Sequence, residues 1–90
     1  MDSRELGELK SVGKATLGDL RRLGVTTVNE LARRDPKEMY DELCRLTGVR
    51  HDPCCEDVFA CAVAQARDPE LPEEQRDWWF WSRQRRTATR

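Results

Sequence analysis

No stretch of the 90-residue sequence approaches the roughly eighteen consecutive apolar residues that a membrane-crossing helix needs. Nor does a basic segment followed by an apolar one open it. Met1-Asp2-Ser3-Arg4-Glu5 is mixed in charge, so no secretory signal is expected and the expected location is cytoplasmic. Strand signals are almost missing: Val25-Thr26-Thr27-Val28 is short and abuts Gly24. No glycine-rich loop suits nucleotide phosphates. No nucleophile, base and orienting group stand in a recognisable arrangement, and no paired carboxylates lie off the solvated helix faces, so no enzyme is expected. A single histidine denies the chain a two-histidine metal site. These absences exclude a transmembrane protein, a secreted disulfide scaffold, a multidomain enzyme and a disordered tail. No cofactor or small-molecule substrate is indicated.

What remains is one small domain with one modest core, 38% hydrophobic and 37% charged. The formal net charge of −1 conceals an uneven distribution. From Lys14 to Arg34 there are five basic and two acidic residues, and from Pro53 to Asp77 two basic and seven acidic. Trp78 to Arg90 holds four arginines and no acid. The molecule as a whole does not attract polyanions, but its two basic segments could form a local patch.

Helix punctuation is frequent. Asp35-Pro36 and Asp52-Pro53 read as helix starts, with aspartate as cap and proline in the first helical position. Thr27 with Glu30, and Asp35 with Glu38, have capping-box spacing. Gly24 and Gly48 follow periodic runs, where a left-handed glycine ends a helix. Helices are expected over Ser3–Leu9, Lys14–Leu23, Val28–Arg34, Pro36–Leu46 and Pro53–Ala66, with a last one from Pro72 into the low eighties. In the fifth, Cys54, Cys55, Val58, Phe59, Cys61, Ala62 and Ala66 share a broad apolar arc, with Glu56, Asp57 and Arg67 opposite, as suits a central helix. The expected class is all-α, with five or six short helices closed by a tryptophan-rich C-terminal helix. Residues 1–83 would form the domain and 84–90 a basic, mobile tail.

Leu6–Leu20 reads L-x-x-L-x-S-V-G-x-x-x-L-x-x-L and resembles a helix-hairpin-helix motif, in which a tight turn aims backbone amides at a phosphate. The donors would come from Ser11, Val12, Gly13, Lys14 and Ala15, with Arg21 and Arg22 adding cations. Ser11 stands where the first glycine is usual and Leu17 where a small residue is usual, while Gly18 interrupts the second helix. The same turn can serve helix packing alone. Gly13–Val25, Leu31–Cys44, His51–Cys54 and Leu71–Trp81 resemble the small helix-hairpin-helix proteins known as pathogenicity-locus or mitomycin-resistance proteins. These are similar in turn to the C-terminal domain of the competence regulator TfoX. The resemblance spans about Leu6 to Arg83 and implies an all-α fold with a helix-hairpin-helix core in a bacterial cytosol. It implies little about activity. The order of elements is that of a doubled hairpin unit, with Gly48-Val49-Arg50 as a degenerate second turn and Asp52 where a phosphate would approach.

Cys44, Cys54, Cys55, Cys61 and His51 are metal-ligand types without the close spacing of structural zinc sites, and buried free thiols are the expected state. Cys54, in a first helical turn, should be the most reactive of them. Trp78, Trp79, Phe80 and Trp81 point in four directions on one helix. They form either a lid over the core or, with Arg83, an exposed surface for stacking bases or binding a partner. Two functions follow. The first is non-catalytic, sequence-independent DNA binding through the hairpin. The alternative is a protein-interaction or regulatory module, with a protein partner or a second copy seated on the tryptophans and the acidic face.

Overall fold

The computed structural model describes residues 3–88, and all regular structure among them is helical. Five α-helices follow a single 3₁₀ turn at Leu6–Glu8: α1 (Lys14–Arg22), α2 (Val28–Ala32), α3 (Pro36–Thr47), α4 (Cys54–Arg67) and α5 (Trp78–Ala88). A second 3₁₀ turn, Glu73–Arg76, precedes α5. No helix among the described residues is long and apolar enough to cross a membrane.

The caps form as their residue types dictate. Thr27 and Glu30 close a reciprocal box on α2. The Asp35 carboxylate accepts from the Glu38 amide at 3.0 Å. Asp52 accepts from the Cys54 amide at 3.0 Å and so caps α4, which begins one residue beyond its proline. That bond favours the ionised acid and holds the Asp52 carboxyl below its ordinary value. Gly48 and Gly24 take left-handed backbones at φ 70° and 78°, a conformation cheap only for glycine.

α4 is the central element, packing against α2, α3, α5 and the second 3₁₀ turn. Phe59, Ala62, Val63 and Ala66 meet Leu20, Leu31, Met39 and Leu43 in one core. The polar side of α4 departs from the sequence reading. Asp57, placed opposite the apolar arc, is only 1% exposed, and Gln65 is buried as well. Arg85 of α5 accounts for the first: its Nε and Nη2 donate to Oδ1 and Oδ2 of Asp57 at 2.7 and 3.1 Å. A carboxylate can be buried when a guanidinium satisfies both of its oxygens.

The helices α1 to α4 match their expected bounds to within two residues, and three expectations shift by more. The first helix is a single 3₁₀ turn, because Glu8 folds back onto the Glu5 amide and Ser11 then turns the chain with φ 71°. The last helix does not start at Pro72: Asp77 is extended, and α5 starts after it. The tail expected beyond residue 83 is instead helical to Ala88, since Arg85 is clamped by Asp57 and Arg86 donates to Ser82 Oγ at 2.9 Å. Residues 89–90 of that tail lie outside the described residues.

Asp57→Ala removes both bonds that the Arg85 guanidinium makes to the buried carboxylate. We expect a loss of about 3 kcal/mol in stability, read by urea denaturation with the far-UV spectrum retained.

Candidate nucleic-acid interface

The turn between the first 3₁₀ segment and α1 is held by several polar contacts from distant parts of the chain. Its backbone is clamped from below by Gln65, whose Oε1 accepts from the Lys10 amide at 2.9 Å while Nε2 donates to the Lys10 carbonyl at 2.8 Å. Ser11 follows in a left-handed conformation that an L-residue adopts only at a cost of about 1–2 kcal/mol. Its hydroxyl offsets that cost. It donates to the Arg76 carbonyl at 3.1 Å and accepts from the Trp78 amide at 3.3 Å, capping the start of α5. Lys10 adds an ion pair to Asp77 at 3.2 Å. Serine therefore occupies the usual glycine position because its side chain joins the turn to α5.

The amide of Val12, one of the expected phosphate donors, is taken by the Leu9 carbonyl, and its side chain is buried. Gly13 caps α1 without a side chain, so the Lys14, Ala15 and Thr16 amides have no side-chain acceptor. Gly13, Lys14 and Ala15 are exposed. Lys14 and Arg21, seven positions apart, share one face of α1 about 10 Å apart along the axis, and neither is ion-paired among the described residues. Arg22 is less available, because its Nη1 bonds Asp19 Oδ1 at 3.1 Å. Gly18 lies on that same face. A Cβ there would meet only the end of Arg22, 3.8 Å away, so close packing within the chain does not account for this glycine. The close approach that Leu17 would hinder is provided on the other side, where Leu17 Cδ1 lies against Gly7.

The aromatic run divides. Trp81 turns inward, donating Nε1–H to the Gln75 carbonyl at 2.7 Å and meeting Phe80 edge-on with ring centroids 5.2 Å apart. Trp78 and Trp79 stay 39% and 48% exposed, with the Arg83 guanidinium 4.3 Å from the centre of the Trp79 ring. One ring is held against the preceding turn while two stay exposed on the same helix. The sequence leaves a lid and an exposed surface as alternatives and gives no sign that Ser11 ties the start of α5 to the turn. Nor did it foresee Gln65, whose partner is 55 residues away.

The start of α4 has different chemistry. Asp52 occupies its N-terminus, where an incoming phosphate would meet a like charge. It also reverses the expectation for Cys54. The facing Asp52 carboxylate, with burial, raises this thiol above its ordinary value instead of activating it. Burial pushes Cys55 up to about 11 and raises Cys61 too. All four cysteines are free thiols. Among the described residues no three His, Cys, Asp or Glu side chains are grouped to hold a metal ion. The Tyr40 hydroxyl donates to the His51 carbonyl, and the His51 ring meets Thr47 Oγ1 at 2.8 Å, so both support the α3–α4 connection.

These features define a small all-helical domain with a helix N-terminus that no side chain caps, cations along that helix, and two exposed indoles at the start of α5. The chain belongs to the pathogenicity locus family, whose profile matches residues 2–87. It is similar to a mitomycin resistance protein, McrB, of Streptomyces lavendulae: 35% identical over 85 residues, spanning 94% of this chain and 77% of that one. No solved structure matches it.

Two outcomes check this geometry. Ser11→Ala keeps the strained backbone but loses both hydroxyl bonds, whereas Ser11→Gly loses the bonds and relieves the strain. The alanine variant should be the less stable of the two by about 1 kcal/mol in chemical denaturation. Cys54 and Cys55 should react with iodoacetamide at pH 8 more slowly than free cysteine, read by peptide mass spectrometry, because less of each is thiolate.

Proposed function

We propose that this protein binds nucleic acid, DNA foremost, through its phosphate backbone and without regard to sequence, at the turn and first helix. The observation that carries this reading is the N-terminus of α1: exposed amides at Lys14 and Ala15, no capping side chain, no acid in the first turn, and two unpaired cations along the same face. The partial positive charge of a helix start and its free donors suit a phosphate oxygen. The likeness of Leu6–Leu20 to a helix-hairpin-helix turn supports it, as does the absence of a packing role for Gly18, which leaves the α1 backbone approachable on that face. No catalytic step is assigned. The alternative, a protein-interaction module, draws its support from the exposed Trp78 and Trp79.

With two or three cations engaged and a net charge of −1, affinity should be in the 10⁻⁴–10⁻⁶ M range typical of non-specific binding, as an order of magnitude. Titration of labelled DNA by fluorescence anisotropy tests it. Saturable binding should weaken by about 10²–10³-fold as salt rises from roughly 20 to 200 mM. Lys14→Glu combined with Arg21→Glu should abolish it. Absence of binding at the lowest salt reduces the turn to packing and favours the protein-interaction alternative.

A further inference from the structure

We infer that the ligand is unpaired: single-stranded nucleic acid whose bases stack on Trp78 and Trp79 while its backbone follows α1. The inference rests on the phosphate-binding reading above and deepens it. Its ground is the juxtaposition made by Ser11. The Ser11 hydroxyl holds the first amide of α5 at 3.3 Å, and Gly13 at the head of α1 is only two steps, at most about 7 Å of chain, from Ser11. The start of α1 and the start of α5 are thus neighbours, fixed by a hydroxyl bond and by the Lys10–Asp77 ion pair. One offers amides and Lys14. The other offers two indoles.

Three properties of those indoles favour bases over other occupants. They are the most exposed aromatic side chains among the described residues, whereas Phe80 and Trp81 on the same helix are half-buried and meet each other edge-on. Trp79 carries the Arg83 guanidinium over its ring, so the aromatic surface is bordered by cation and matches a polyanion with flat bases. Finally, a duplex keeps its base faces stacked within itself, so these rings can engage only bases that are unpaired. Every base has a π-face, so stacking needs no particular sequence.

Titration of the full chain with an oligothymidylate of about 20 nucleotides and with a duplex of equal length, at low salt, tests the inference by tryptophan fluorescence and by anisotropy. The single strand should quench the emission and bind about tenfold tighter than the duplex. Trp79→Ala should erase that margin and leave duplex affinity unchanged, and Trp79→Phe, which keeps a ring, should retain most of it. Equal affinity for both ligands, or a margin that persists in Trp79→Ala, overturns the inference while duplex binding keeps the backbone reading intact. Binding of neither ligand overturns both. Self-association that Trp79→Ala abolishes, with the oligonucleotide margin unmoved, assigns the rings to a second copy and overturns it as well.

Discussion

The fold depends on a buried polar stripe along α4. Asp57, Cys61 and Gln65 are spaced four residues apart, so they form one row on the helix, and all three are buried. Each reaches a different outer segment. Asp57 holds Arg85 of α5, the Cys61 thiol donates to the Gln75 carbonyl at 3.8 Å, and Gln65 grips Lys10. An apolar row in the same place would bury as well, but it would accept α5 and the turn at many offsets. A buried carboxylate and a buried amide accept only partners that satisfy them, and an unpaired one costs more than a paired one contributes. Directional bonds therefore set where the last third of the chain and the first turn sit on a core whose apolar contacts are less selective.

This explains which parts of the structure were legible beforehand. Caps and helix ends are local chemistry: Thr27 meets Glu30 three residues on, and Gly24 and Gly48 respond to the helix they end. All of these were readable from spacing. Asp57 was not, because at one turn into a helix it has the pattern of a solvated acid until Arg85, 28 residues later, is brought against it. The same distance hid the helical continuation through Arg83, Arg85 and Arg86, whose charge and lack of apolar neighbours signal a tail. Cys54 failed for the opposite reason: the helix start that would activate it was correctly located, but the capping Asp52 places a negative charge where the dipole is positive.

The candidate site was half visible for the same reasons. The turn at Ser11–Gly13 could be read from its pattern, and the left-handed φ of Ser11 shows that the position needs the backbone a glycine would supply. The tryptophans could be read as a cluster with two roles. Their meeting could not, since it depends on a hydroxyl bond across 67 residues. Serine at this position exchanges backbone ease for a tie to α5, and a glycine there would leave the two helix starts without that link.

Charge counting overstates the patch, and that shapes the chemistry left to it. Of the cations between Lys14 and Arg34, Arg22 is paired with Asp19, and Arg34 is held by Glu38, Glu42 and the Leu23 carbonyl. Of the C-terminal arginines, Arg85 is committed to Asp57, and that bond raises its pKa further. Arg67 donates to the Ala32 and Arg34 carbonyls and serves the fold. Lys14, Arg21 and Arg33 are left without an ion pair among the described residues, and of these Lys14 and Arg21 share one face of α1, on a molecule whose total charge is −1. Long-range attraction is then slight, so the proposed binding would have to come from contact: amides at close range, a glycine that leaves backbone open, and flat surface for stacking. Of the two basic segments, the first offers amides and lysine, and the second offers indoles more than charge. On the proposed reading, such a surface would discriminate by the shape and pairing state of a ligand before it discriminated by charge.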